Sequence, residues 1–180
     1  MRRLNLGLQD GVNLGRKLAA VVSGRVGPAL LASSQAERRP AAERLIMQSR
    51  TQLHLFRPGP EITSVRELFA ELLTDANNIG RISDLLSGAD NHYTWGADAH
   101  PLVGRWVPNF AVASAQKTQR VAELARDGRP LLVDLTEGGA LAASVTDIAD
   151  QLTIAVGRPV GEVPATAVLV RPDGYVAWAS

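Results

Sequence analysis

The chain has 180 residues, of which 46% are hydrophobic and 21% are charged. This is the balance of an ordinary globular protein, and the length suits one or two small domains. Nineteen basic residues against eighteen acidic ones give a net charge of +1, and there is no cysteine. The composition therefore indicates no nucleic-acid partner, and it excludes disulfides, thiolate metal sites and dithiol redox chemistry.

The first residues do not have the pattern of a secretory signal. Met1-Arg2-Arg3 is basic, but Asp10 and Lys17 interrupt the apolar stretch that a signal peptide needs. No apolar run elsewhere has membrane-spanning length. We therefore expect a cytoplasmic protein with no membrane partner.

The first element is a predicted loop that turns into a helix. Asn5 is a candidate N-cap, with Gln9 and Asp10 in the first turn, where they suit unpaired backbone donors. Three glycines recur along one stripe of this helix: Gly7, Gly11 and Gly15. A glycine inside a helix costs about 1 kcal/mol relative to alanine. The stripe therefore predicts close approach by another backbone or a flat ligand, and a tightly packed amphipathic helix without a ligand is the alternative.

Further helices are predicted as far as residue 88. One spans 28–38, and Pro40 is expected in the first turn of a second helix. Ser64 and Glu67 have the spacing of a capping box that opens a third helix. Five apolar residues at helical spacing are expected to form its buried stripe: Val65, Leu68, Phe69, Leu72 and Leu73.

Residues 89–100 form a polar stretch bounded by glycine and proline, which is typical of a linker. Within it, Asp90-x-His92 and Asp98-x-His100 repeat the same pattern eight residues apart. Aspartate and histidine can ligate zinc, but these residues lie on a loop and lack the spacing of a standard site. We therefore predict no metal.

Residues 101–180 are predicted to form an α/β unit. The elements are an extended segment, a short helix at 118–128 with Val121 and Leu124 inward, a buried strand at 129–136, another strand at 152–157, and a helix or irregular crossover at 140–150. A hairpin at 165–180 turns at Pro172-Asp173-Gly174. A strand, a helix and a strand followed by a hairpin indicate a thioredoxin-like α/β layer, here without a CxxC motif.

The run LNLGLQDGVNLGRKLAAVVSG, residues 4–24, resembles the last flavin-contacting motif of the class A flavoprotein monooxygenases. These are FAD-dependent aromatic hydroxylases, and they include rifampicin monooxygenase and the aromatic-polyketide hydroxylases. Gly11 stands where the family usually has alanine, and Arg16 where it has tryptophan. Ten positions match: Asn5, Leu6, Gly7, Gln9, Asp10, Asn13, Leu14, Gly15, Lys17 and Leu18. The resemblance implies that the backbone at Leu4, Asn5 and Leu6 binds the pyrimidine edge of FAD.

Two further segments resemble the same family. In LLASSQAERRPAAERLIMQSRTQ, residues 30–52, Glu37, Arg38 and Pro40 match a helix pair of the family. We interpret Glu37, Arg38 and Arg39 as a structural ion pair or a solvated face rather than a catalytic cluster. The ending LVRPDGYVAW, residues 169–178, is similar to that of the thioredoxin-like domain in the phenol-hydroxylase-like branch.

The family's Rossmann fingerprint G-x-G-x-x-G does not occur in these residues. The chain thus resembles the C-terminal third of such an enzyme. The expected fold is α/β, with a helical part of the FAD domain at 1–88 that lacks the Rossmann half, a linker at 89–100, and a thioredoxin-like domain at 101–180.

The function implied by the resemblance is NAD(P)H- and O2-dependent hydroxylation of a phenolic or polycyclic aromatic substrate. No catalytic side chain can be named, and we expect the chain alone to be incomplete and inactive. A homodimer, or a separate polypeptide that carries the N-terminal FAD-domain half, is the partner this hypothesis allows. The alternative function is a non-catalytic remnant or interaction module.

Overall fold

The computed structural model describes residues 2–93, 96 and 98–180, with the backbone alone for residues 2–4. The chain divides into two compact units, residues 1–91 and 92–180. Each unit is described separately below.

The first unit consists of helices. Its four α-helices are α1 (Arg2–Val22), α2 (Ser33–Leu55), α3 (Pro60–Leu72) and α4 (Ala76–Ser87), and a 3₁₀ turn at Pro28–Ala32 precedes α2. The sequence-based prediction of helices as far as residue 88 is confirmed. Gly88 ends α4 with a φ of 82°, a left-handed conformation that favours glycine.

The helix that contains Pro40 is longer than expected. Pro40 lies inside α2 and does not open a new helix, so its placement in a first turn was wrong. Proline fixes φ near the helical value and removes one N–H donor, so a long helix can continue through it with the loss of one hydrogen bond. Arg38, two residues before Pro40, pairs with Asp10 of α1, and residues after Pro40 border a pocket that α1 also lines.

The start of α3 also differs from the prediction. Gly59 is its N-cap and Pro60 occupies the first helical position, where a missing N–H costs nothing. Ser64 lies one turn inside the helix, and its hydroxyl donates to the Pro60 carbonyl. The predicted capping box of Ser64 and Glu67 is therefore wrong. By contrast, α4 has a side-chain cap, because the Asp75 carboxylate accepts from the N–H groups of Asn77 and Asn78.

The predicted buried stripe of α3 is exposed in the described part of the chain. Leu68 is 56% exposed and Leu72 is 49% exposed, and Val65, Phe69 and Leu73 are exposed too. Helical spacing shows which residues share a face, but it does not show what covers that face. The expectation that this stripe is buried within the chain was wrong.

The second unit contains two small sheets. Its strands are β1 (Ala111–Ala113), β2 (Thr118–Arg120), β3 (Leu131–Asp134), β4 (Thr153–Val156), β5 (Arg158–Val160), β6 (Ala167–Val170) and β7 (Val176–Ala179). The short helices α5 (Val121–Leu124) and α6 (Ala140–Ser144) lie between strands in the sequence.

One sheet is antiparallel and has the order β2-β1-β5. The other sheet has the order β4-β3-β6-β7, in which β3 and β4 are parallel and the remaining pairs are antiparallel. The predicted buried strand at 129–136, the predicted strand at 152–157 and the final hairpin are confirmed, and β4 is half-buried to exposed. The sequence did not predict the three-stranded sheet, because its strands have only three residues each and β1 pairs with a distant segment.

The hydrophobic core of the second unit lies on the four-stranded sheet. All four residues of β3 are buried, and Val121 of α5 packs on the same core with no exposed surface. Val168 and Val170 of β6 and Val176 of β7 also belong to it. Among the residues that the structure describes, no helix is both long and apolar enough to cross a membrane.

Candidate functional site

The residues predicted to contact a cofactor lie within the first turns of α1. The helix begins at Arg2, so Leu4, Asn5 and Leu6 are helical and no loop leads into Asn5. Asn5 therefore does not cap the helix, and Gln9 and Asp10 lie beyond its first turn. The reason is local, since arginine and leucine favour helices and no glycine or proline precedes Gly7.

The start of α1 offers polar groups to a ligand. The first N–H groups of a helix, here including that of Leu4, lack partners within the helix and carry its positive dipole end. The Asn5 side chain is exposed and Leu6 is half-buried, whereas the side chain of Leu4 lies outside the described residues. Asn5, Leu6 and Gln9 also border a pocket of about 50 Å³ with residues of α2 and α4. That volume suits a few water molecules rather than a ring system.

A cluster of polar side chains joins α1 to α2. Asn13 Nδ2 donates to Glu37 Oε2 at 2.6 Å, and Ser34 Oγ donates to Asn13 Oδ1 at 2.7 Å. Lys17 Nζ lies 3.0 Å from Glu37 Oε2, and Arg16 Nη2 lies 3.4 Å from the same oxygen. Asn13 and Lys17 have no exposed surface. One carboxylate oxygen thus accepts from an amide and faces two cations in a largely buried position.

Arg38 forms a second set of contacts, closer to the start of α1. Its Nε donates to Asp10 Oδ1 at 2.6 Å, and its Nη2 donates to Gln9 Oε1 at 3.1 Å. Arg39, the next residue along α2, instead forms an exposed pair with Glu43 at 2.8 Å. The interpretation of Glu37, Arg38 and Arg39 as structural and surface ion pairs is confirmed by these contacts.

The opposite face of α1 is apolar and points away from α2. Leu8, Val12, Leu14, Leu18 and Val22 are exposed, with Leu8 at 61%. A Cβ added at Gly7, Gly11 or Gly15 would meet no described atom within 4 Å. The close approach predicted for the glycine stripe is therefore not made by the described part of this chain.

The sequence analysis missed the pairing of polar residues between α1 and α2. The signal was present in the sequence, since Gln9, Asp10, Asn13 and Lys17 lie on one helical stripe opposite the glycines. A polar stripe normally predicts a solvated face. Here the polar face is buried and the apolar face is exposed.

In the polar stretch at 89–100, two of the potential ligands, Asp90 and His100, have other contacts. Asp90 pairs with Arg44 of α2, and His100 Nδ1 accepts from the Leu102 N–H at 3.2 Å. Among the described residues, no group of three or more histidines or carboxylates could hold a metal ion.

Two buried carboxylates of the second unit have structural contacts. Asp134, at the end of β3, accepts from the Thr136 hydroxyl at 2.6 Å and from the Ala142 N–H at 2.7 Å. Burial alone would raise the pKa of Asp134, but these hydrogen bonds outweigh it and lower the pKa below the ordinary value of 3.8. Asp173 binds the Arg171 guanidinium through both carboxylate oxygens, and that guanidinium lies 4.7 Å from the centre of the Tyr93 ring.

Comparison with known proteins supplies the family. Residues 100–180 match the sequence family described as aromatic-ring hydroxylase, C-terminal, and residues 4–49 match the FAD binding domain family. The chain is similar, over both matched segments, to the C-terminal portion of the FAD-dependent aromatic hydroxylases. FAD is the cofactor of this family, and NAD(P)H is its usual co-substrate.

Individual proteins show the same similarity in sequence and in structure. The chain is 36% identical over 180 aligned positions to 12-dehydrotetracycline 5-monooxygenase/anhydrotetracycline 6-monooxygenase of Streptomyces rimosus, an alignment that covers 97% of this chain and 36% of the relative. It is 37% identical to rifampicin monooxygenase of Streptomyces venezuelae, over 98% of this chain and 35% of the relative. The anhydrotetracycline hydroxylase OxyS from Streptomyces rimosus has a similar structure, with a TM-score of 0.91 at 35% identity over 98% of this chain and 37% of that one. The chain thus spans about a third of the length of these relatives.

The described residues fit one wall of a flavin site. The start of α1 provides N–H groups that suit the electron-rich pyrimidine edge of the flavin. Beside it, Gly7 and Gly11 leave a helix face without side chains that a planar ring can approach, and no described atom occupies that space within 4 Å. The family match at 4–49 covers the same helix.

Proposed function

We propose that this chain is the C-terminal part of an FAD- and NAD(P)H-dependent monooxygenase that hydroxylates a phenolic or polycyclic aromatic compound. The observation that supports this most is the FAD binding domain match over residues 4–49, which contains the exposed start and glycine face of α1. Because the relatives are about three times as long, the complete enzyme includes residues beyond the aligned third. Its need for NAD(P)H suits the cytoplasm, where we place the protein.

In this proposal, the backbone of Leu4, Asn5 and Leu6 lies against the flavin. The N–H groups at the start of α1 bind the pyrimidine edge, and the positive end of the helix dipole stabilises negative charge that develops there on reduction. The glycine face lets the ring or a neighbouring backbone approach the helix closely. Bound FAD supplies the redox and oxygen chemistry, while the protein orients the cofactor and excludes water.

We further propose that the second unit is a thioredoxin-like domain with a structural role. The sheet order β4-β3-β6-β7, with β3 parallel to β4 and β6 antiparallel to β3, is the topology expected of such a domain. Because the chain has no cysteine, this domain has no thiol exchange chemistry. We propose the domain boundaries 1–88, 89–100 and 101–180 for the helical segment, the linker and this domain.

A chimera tests the proposed function. In it, this chain replaces the aligned segment of 12-dehydrotetracycline 5-monooxygenase/anhydrotetracycline 6-monooxygenase, which supplies the remaining residues. The expected product is a folded yellow protein that retains about one FAD per chain after gel filtration and oxidises NAD(P)H when an aromatic substrate is added. A chimera that folds, as judged by circular dichroism, but retains no FAD contradicts the proposal.

The second candidate is a non-catalytic interaction module, and the exposed apolar residues of α1 and α3 favour it. Two measurements together distinguish the two functions: the oligomeric state of the 180-residue chain, and FAD binding by the chimera. A stable dimer of the chain together with a chimera that holds no FAD supports the module. A chimera that holds FAD supports the hydroxylase, and in that case the same apolar faces are covered in the complete protein.

A further inference from the structure

The contacts between α1 and α2 occur on successive turns of both helices. Ser34 pairs with Asn13, and one turn along α2, Arg38 pairs with Asp10. Residue numbers fall along α1 as they rise along α2, so the two helices are antiparallel. Each of these hydrogen bonds is directional, and a slip by one turn, about 5 Å, would break all of them together.

An apolar interface would not restrain the helix to the same degree. Hydrophobic contacts are non-directional, and buried polar groups can select one register at some cost in stability. Five apolar residues of α1 point away from α2, and two of them, Leu8 and Val22, are among the most exposed large hydrophobic residues that the structure describes. Leu6 is the exception, since it is half-buried and borders a groove with Leu45 of α2. The rotation of α1 about its axis therefore depends mainly on Asn13, Lys17, Glu37 and Arg38.

This rotation decides which groups α1 presents. With Asn13 and Lys17 turned toward Glu37, the three glycines lie on the opposite, open side of the helix. A rotation or slip of α1 would turn side chains into that space and would move the N–H groups of its first turn. The flavin-contacting groups of the proposed function lie on the same helix.

We propose that Asn13, Lys17, Glu37 and Arg38 are positioning residues, which hold α1 in the register that presents Leu4–Leu6 and the glycine face to the flavin. This inference rests on the proposed function. It adds that the polar cluster serves to place α1 rather than to stabilise the helix pair.

A triple variant separates placement from stability. Asn13→Leu, Lys17→Met and Glu37→Leu together replace the buried cluster by apolar side chains of similar size, a change that often preserves stability. Arg39→Met is the matched control, because Arg39 is on the same helix in an exposed pair. Because the chain has no native cysteine, Leu8→Cys and Thr51→Cys can carry spin labels at two exposed positions on α1 and α2 without background labelling.

The first readout is the distance between these labels in the 180-residue chain. We expect one narrow distribution in the unsubstituted chain and in Arg39→Met. In the triple variant, we expect a folded protein that melts within a few degrees of the control, with a distribution that broadens or shifts by about one helical turn, 5 Å. An unchanged narrow distribution in a folded triple variant overturns the proposal.

The second readout is the dissociation constant for FAD in the chimera defined above. The triple variant should bind FAD at least tenfold more weakly, while Arg39→Met binds it like the unsubstituted chimera. Equal affinity in the folded triple variant overturns the positioning role even if the label distances change. If the unsubstituted chimera binds no FAD, the proposed function fails, and the label distances still decide whether these residues set the register of α1.

Discussion

Lys17 Nζ and Glu37 Oε2 lie 3.0 Å apart, and the Lys17 side chain has no exposed surface. The cation is thus buried between two helices, on the side of α1 opposite its exposed apolar residues. The carboxylate beside it, Glu37, also accepts from Asn13 and faces Arg16. Removal of this carboxylate should therefore lower the stability of the first unit more than removal of an exposed ion pair does.

Glu37→Leu alone should destabilise the helical unit. The substitution leaves Lys17 buried without this carboxylate, and the loss of one partner of a buried ion pair costs about 3 kcal/mol or more. Unfolding in urea, followed by hydrogen exchange of the α1 amides, measures the effect. Arg39→Leu, which breaks only an exposed pair, should change the free energy of unfolding by less than about 1 kcal/mol. Equal effects of the two substitutions would contradict the burial of the Lys17 charge.

Pro40→Ala should stabilise α2. Pro40 is exposed and lies inside the helix, where it removes one backbone hydrogen bond. Alanine is more favourable than proline in a helix interior by up to about 3 kcal/mol, and no buried side chain is lost. Thermal unfolding followed at 222 nm should therefore show a higher midpoint. A lower midpoint would contradict the expectation that Pro40 costs the helix a hydrogen bond without a compensating contact.

Asp134→Asn should reduce the stability of the second unit in a pH-dependent way. The pKa of Asp134 is lowered in the folded chain, so the ionised group stabilises the fold above the ordinary value of 3.8, and this contribution is lost as the pH falls toward the lowered pKa. At pH 7 we expect a loss of about 2 kcal/mol, because hydrogen bonds to a charged acceptor are replaced by weaker ones. Urea titrations between pH 7 and pH 3 should show this difference shrink as the pH falls. A difference that stays constant would contradict the lowered pKa.

Gly157→Ala should destabilise the junction of the two sheets. Gly157 lies between β4 and β5, and a Cβ at this position would be 2.5 Å from the Ala113 carbonyl oxygen and 2.8 Å from Val112 Cγ1. Backbone cannot move away cheaply, so we expect a loss of about 2 kcal/mol or more.

Gly80→Ala is the matched control for this substitution. Gly80 is in the interior of α4 with no described atom within 4 Å of an added Cβ, and alanine there should add up to about 1 kcal/mol of stability. Chemical unfolding of both variants should therefore give changes of opposite sign. The same sign for both would contradict the close contact at Gly157.

The sequence predicted those elements that depend on local pattern. The buried run Leu131–Asp134 and the Pro172-Asp173-Gly174 turn are strong local signals, and both are present. The extent of the helical half follows from periodicity in the same way. The start of α1 was predicted wrongly, because Asn5 is a good N-cap residue but Arg2 to Leu4 already favour a helix.

What the sequence could not supply is the partner of each face. Leu68 and Leu72 have the spacing of a buried stripe, yet they are exposed in this chain. Asn13 and Lys17 have the character of a solvated face, yet they are buried against Glu37. Both cases have one cause, since periodicity defines a face but pairing between elements decides whether it is covered. The resemblance to longer relatives is visible in the motif at residues 4–24. The contacts of Glu37 and Arg38 with α1, however, are visible only in the three-dimensional structure.

Hydrogen exchange of the first turn of α1 shows whether this helix contacts the flavin. The chimera is compared with and without FAD, and the amides of Leu4, Asn5 and Leu6 are followed by mass spectrometry of the N-terminal peptides of this chain. If the start of α1 lies against the flavin, FAD slows hydrogen exchange at these amides and along the glycine face, while exchange in the second unit stays the same. If FAD binds and the first turns of α1 exchange at the same rate with and without FAD, the helix is not part of the flavin site and the proposed flavin contact is wrong.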